Sequence, residues 1–144
     1  MEIKIETVID AAIDDVWNAW TTPADIQNWN FATDDWVCPK AENNLAVGAQ
    51  FNYRMEAKDG STGFDFTGSY IHIKDKELIE YILTDDRKVK IYFLQTNDGI
   101  KVEEIFETED ENSGEQQKQG WQCILNNFKQ YVENKYSNEQ GGCL

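Results

Sequence analysis

A chain of 144 residues with a formal net charge of −14 has the size of one domain. Its field repels phosphate backbones and anionic headgroups, and Arg54 and Arg87 are its two arginines, which argues against nucleic acid as a partner. Hydrophobic residues at 40%, with five Trp, six Tyr and seven Phe, exclude a disordered chain and suit a packed core.

Ile3, Ile5, Thr7 and Ile9 alternate with Glu2, Lys4 and Glu6, the pattern of a strand with one buried face. Ile13, Val16, Trp17 and Trp20 then share one helical face, with Asp14 and Asp15 in the first turn, where carboxylates are favoured. Thr22 as cap, Pro23 at the first position and Asp25 at the third predict a second short helix, with Ile26 and Trp29 on its apolar side. Asn30 to Gly48 has no clean period and reads as a loop.

Strands resume with Phe51, Tyr53 and Met55 alternating against Asn52, Arg54 and Glu56, and Asp59-Gly60 marks a hairpin turn. Phe64, Phe66, Gly68 and Tyr70 continue the alternation before Ile71 and Ile73 switch parity, which predicts a bulge near Gly68 or Tyr70, or burial on both faces. Leu78–Leu83, Val89–Leu94 and Ile100–Phe106 supply three more strands, with turns at Asp85-Asp86 and Asn97-Asp98-Gly99. Ser113 and Gln116 form a capping box opening the last helix, whose stripe is Trp121, Ile124, Leu125, Phe128 and Val132; Gln122, Asn126, Lys129, Gln130 and Glu133 face away. Residues 1–136 make one domain, and the polar tail 137–144 is expected to be disordered. Strand, two helices, a run of strands and a long helix is an α+β order with an antiparallel sheet.

Chemistry-bearing constellations are sparse. His72 is the single histidine, so a nucleophile–base pair must use it, and a strand histidine and, separately, a buried, inert Cys123 are the simpler reading. Cys38, Cys123 and Cys143 lack metal-ligand spacing and a CxxC, and with no signal region at the N-terminus they point to a reducing cytoplasm. Cys143 is penultimate, which excludes the C-terminal prenylation pattern. Asp34-Asp35, Asp85-Asp86, Glu103-Glu104 and Glu109-Asp110-Glu111 read as solvated charge; Asp110, Asn112 and Gly114 come nearest a calcium loop but lack its closing glutamate. Neither a Walker motif nor GxGxxG is present, so no nucleotide cofactor and no metal are expected. No apolar run approaches the ~18 residues of a membrane span.

The order of elements, with Val16-Trp17, Thr22-Pro23, Trp29, Gly48 and Phe51, Asp59-Gly60, Gly68 and Tyr70, and Gly120-Trp121 with Leu125, Asn127 and Phe128, resembles the START-like superfamily, also called the birch-pollen-allergen-like or SRPBCC fold. Within it the chain is most similar to homologues of the activator of the heat-shock-protein-90 ATPase, over Ile3 to Tyr136. Where that family often has a double glycine, Gly48 is followed here by Ala49. The resemblance implies a helix-grip fold, in which a curved antiparallel sheet of six to seven strands wraps around the long C-terminal helix. It also implies that Phe51, Tyr53, Met55, Phe66, Tyr70, Phe106, Trp121, Leu125 and Phe128 converge between sheet and helix. They either fill a core or wall a cavity for a hydrophobic or amphipathic small molecule, with Arg54 and His72 as the polar groups that matter if they turn inward. The alternatives are a surface partner of the heat-shock-protein-90 chaperone and a polyketide-cyclase-like enzyme, for which the sequence offers no paired catalytic residues.

Overall fold

Period-two alternation punctuated by tight turns folds seven strands of this chain into one antiparallel sheet. The computed structural model describes residues 2–109 and 113–140, with side chains described through Tyr136. Asp110, Glu111 and Asn112, at the near-miss calcium loop, and 141–144, with Cys143, lie outside the described residues. The elements are β1 (Glu2–Ile9), α1 (Ile13–Thr21), α2 (Pro23–Ile26), β2 (Trp36–Asn43), β3 (Gln50–Ala57), β4 (Gly63–Lys74), β5 (Leu78–Leu83), β6 (Lys88–Thr96), β7 (Gly99–Glu107) and α3 (Gly114–Gln140). The sheet order is β1-β7-β6-β5-β4-β3-β2, so every neighbouring pair except β1–β7 is a sequential hairpin. The curled sheet and the long α3 make an α+β helix-grip fold. Among the described residues no helix is long and apolar enough to cross a membrane.

Most turns form where the residues place them. Ser61 N–H donates to Asp59 Oδ1 at 2.9 Å and Gly60 takes a φ of 77°, while Asp86 adopts a φ of 70° between β5 and β6. Gly99 (φ 134°) starts β7, and a Cβ there would lie 2.1 Å from the Ile9 carbonyl oxygen, so β1 and β7 meet only because that side chain is absent. The parity switch in β4 is a bulge: Tyr70 faces Tyr81 and His72 faces Glu80, leaving Ile71 unpaired and 40% exposed.

β2 overturns the loop expected over 30–48. It is an edge strand with a register shift between Val37 and Lys40, around Pro39, and that interruption hides its alternation from the sequence. Thr22 holds the cap position of α2 with extended backbone, yet its side chain makes no capping bond. Asp25 is not a capping acid either: its buried carboxylate accepts from the Tyr131 hydroxyl and, at 2.9 Å, from Lys135 Nζ, tying α2 to α3.

The Ser113 cap does form, Oγ accepting from the Gln116 N–H at 3.1 Å. Leu125, Phe128 and Val132 are fully buried, as the stripe requires. The opposite side of α3 is less idle than expected, since Lys129 Nζ donates to the Val8 carbonyl at 2.5 Å and Glu133 accepts from the Asp10 N–H at 2.9 Å. The helix continues to Gln140, past the Tyr136 at which the sequence reading ends the domain.

Candidate ligand cavity

Between the concave face of the sheet and α3 the side chains leave a half-open cavity of about 330 Å³. A sheet this curved diverges from a straight helix, and rigid rings that stack on one another do not collapse into the gap. Trp121 lies flat on Phe106, with centroids 4.2 Å apart and planes 8° from parallel, and meets Phe66 edge-on at 6.1 Å. Trp20 and Trp29, which also line the cavity, contact each other and Phe128 with ring centroids 4.7–5.0 Å apart. Trp29 Nε1 donates to the Ala19 carbonyl at 2.9 Å, and Asn127 Nδ2 donates to the Trp29 carbonyl at 3.0 Å, which fixes this wall to α3.

Of the nine residues named from the sequence, Tyr53, Met55, Phe66, Tyr70 and Trp121 line the cavity. Phe51, Phe106, Leu125 and Phe128 are at most 1% exposed and stand behind that lining, as core that holds the wall in place. Arg54 does not turn inward; it pairs with Glu56 and Asp65. His72 is exposed. Cys123, expected to be buried, is exposed because it lies off the apolar stripe of α3, and Cys38 is the buried thiol. Burial pushes the Cys38 thiol up, so it is an inert packing residue.

The polar lining is ordered from β2 to β4. The Tyr70 hydroxyl donates to Asn43 Oδ1 at 2.5 Å, and Asn43 Nδ2 donates to the Thr21 carbonyl at 2.7 Å. Burial raises Tyr70 to about 12 and Tyr53 and Tyr81 well above the usual phenol value, so all three carry their protons. At the far side of the lining Arg87 is held by Asp85, with Nε 2.7 Å from Oδ2.

Glu104 corrects the reading of Glu103-Glu104 as solvated charge. Glu103 does face outward, toward Lys4 and Lys101, but Glu104 is 4% exposed and lines the cavity. It follows Ile100 and Val102 and precedes Phe106 on the inward face of β7, so the signal was its parity with those residues. Burial raises its carboxyl from 4.5 to about 8, which keeps it protonated at neutral pH. Glu104 and Tyr81 have no hydrogen-bond partner among the described residues. No fully enclosed side-chain oxygen or nitrogen of the described residues lacks one, so both groups open onto the cavity. Among the described residues no cluster of His, Cys, Asp and Glu is arranged to hold a metal.

Residues 10–133 match the family described as activator of Hsp90 ATPase homolog 1-like protein. The chain belongs to this family. Solved structures share its fold closely. The solution structure of an AHSA1-like protein from Aeromonas hydrophila is 41% identical over 94% of each chain, with a TM-score of 0.89. A solution structure from Cytophaga hutchinsonii is 45% identical, again over 94% of each chain, with a TM-score of 0.81. A Chromobacterium violaceum crystal structure, 23% identical over 92% of this chain and 98% of that one, shows the fold alone at a TM-score of 0.83. No curated protein matches the chain. The AHSA1-like assignment agrees with the START-like resemblance carried by Trp29, Gly68 and Gly120-Trp121. Gly68 has a visible role here, because a Cβ would lie 2.6 Å from the Phe51 ring.

Proposed function

We propose that this AHSA1-like domain binds a hydrophobic or amphipathic small molecule between its sheet and α3. The observation that supports this most is the half-open aromatic cavity of about 330 Å³, within the size range of small-molecule sites and walled by residues that pack on each other rather than into the gap. A ligand of about 20 heavy atoms at ~0.3 kcal/mol each gains roughly 6 kcal/mol, an affinity of tens of micromolar that suits a carrier or sensor.

The test is titration with a neutral apolar dye, followed by displacement with a bulky aromatic or fatty ligand, alongside native mass spectrometry of freshly purified protein. Saturable dye binding that Trp121→Ala weakens, with the fold intact by circular dichroism, is the expected result. A dye signal that stays flat to millimolar protein contradicts the proposal. The family description favours a second reading, in which the domain meets heat-shock protein 90 through its surface. Stimulation of the chaperone's ATPase that survives addition of a cavity ligand would support that reading.

A further inference from the structure

We infer that Glu104 and Tyr81 form a paired hydrogen-bond donor site inside the cavity, for a carbonyl oxygen at the inner end of a neutral, largely aromatic or alicyclic ligand. The inference rests on the cavity being a ligand site. Both side chains are more than nine-tenths buried, at 4% and 7% exposure, both line the cavity and neither is engaged by the protein. They share the inward face of the sheet: Glu104 pairs with Ile91 of β6, Ile91 pairs with Ile79 of β5, and Tyr81 is two residues along β5 on the same face. A buried polar group left without a partner is costly, so two of them opening onto one apolar space define what that space accepts.

The class of ligand follows from the proton inventory. A neutral carboxyl and a neutral phenol each offer an O–H, and a carbonyl oxygen has two lone pairs to receive them. An apolar site that keeps a carboxyl protonated so that it can donate beside a tyrosine is an established device in ketosteroid isomerase. The groups around Glu104 fit a neutral ligand. Tyr53 and Tyr70 are protonated, and the Tyr70 hydroxyl donates to Asn43. Arg87, from the β5–β6 turn, disfavours a cationic ligand, and Glu109, after β7, is the other ionisable lining group. α3 contributes Gln117, Trp121 and Ile124 and no charge, while β1 and β6 set Ile5 and Ile91 opposite Glu104.

The experiment compares three matched ligands, 2-acetylnaphthalene, 2-ethylnaphthalene and 1-(2-naphthyl)ethylamine, by calorimetry at pH 6.5 and pH 9.5. The wild type is set beside Glu104→Gln and Glu104→Leu. In the wild type the ketone should bind roughly 5- to 100-fold tighter than the hydrocarbon at pH 6.5, the worth of two net hydrogen bonds. That advantage should fall to roughly 3- to 10-fold at pH 9.5, where the acid has lost its proton and the Tyr81 hydroxyl alone still donates. Glu104→Gln, still a donor, should keep the full advantage at both pH values, and Glu104→Leu should keep only the Tyr81 share at both. An advantage undiminished at pH 9.5 or in Glu104→Leu, or an amine that outbinds the ketone at pH 6.5, overturns the donor site while leaving the cavity reading intact. Failure of all three ligands to bind the wild type overturns both.

Discussion

Glu104→Gln should stabilise the protein, and by an amount that depends on pH in a defined way. The folded carboxyl titrates near 8 and the unfolded one near 4.5. Between those values the folded state holds a proton that the unfolded state has released, so wild-type stability falls as pH rises. Below 4.5 both states are protonated and the effect disappears; above about 8 both are ionised and it reaches its limit. At ~1.4 kcal/mol per pH unit, that limit is roughly 4–5 kcal/mol for a group this enclosed. Glutamine is neutral throughout and nearly isosteric, so the difference between variant and wild type isolates this group from the other carboxylates. Urea denaturation from pH 5 to pH 9 should show the variant's advantage growing up to about pH 8 and then levelling. A difference that stays constant across the range, or shrinks as pH rises, would refute the placement of Glu104 in an apolar cavity.

Phe128→Ala should cost roughly 3–5 kcal/mol in chemical denaturation, because the ring is fully buried against Trp20 and Trp29. Asp25→Ala should cost about 1.5–3 kcal/mol, since it strips the Tyr131 hydroxyl and Lys135 of their shared acceptor, and the loss should appear as a lower thermal midpoint. Thr22→Ala should stay within about 0.5 kcal/mol of wild type, as that exposed side chain makes no capping bond; a loss above 1 kcal/mol would show that the cap forms in solution.

What the sequence reveals and hides follows from physical range. Alternation, tight turns and the α3 stripe are local patterns, so the strands from β3 to β7, the bulge at Ile71 and the Ser113 cap were legible. β2 was not, because Pro39 and its register shift break the period and its strand state comes from pairing with β3. Thr22 and Asp25 match a capping pattern, but Tyr131 and Lys135, more than a hundred residues away, compete for the Asp25 carboxylate. In the cavity, aromatic type identified Tyr53, Phe66 and Trp121, yet type alone cannot separate a lining ring from Phe51 or Phe106 one layer behind it. Glu104 was hidden by its neighbour: read as half of an acidic pair it looks solvated, whereas read by strand parity with Val102 and Phe106 it points inward.

Amide chemical-shift mapping with ¹⁵N-labelled protein tests the central claim most directly, using 2-acetylnaphthalene as titrant. If the space between sheet and helix is the ligand site, saturating shifts should concentrate at Tyr53, Phe66, Tyr81, Glu104, Trp121 and Ile124, residues far apart in sequence that meet only around the cavity. Shifts confined to exposed apolar positions such as Val47 and Leu94, with the cavity residues unmoved, would contradict it.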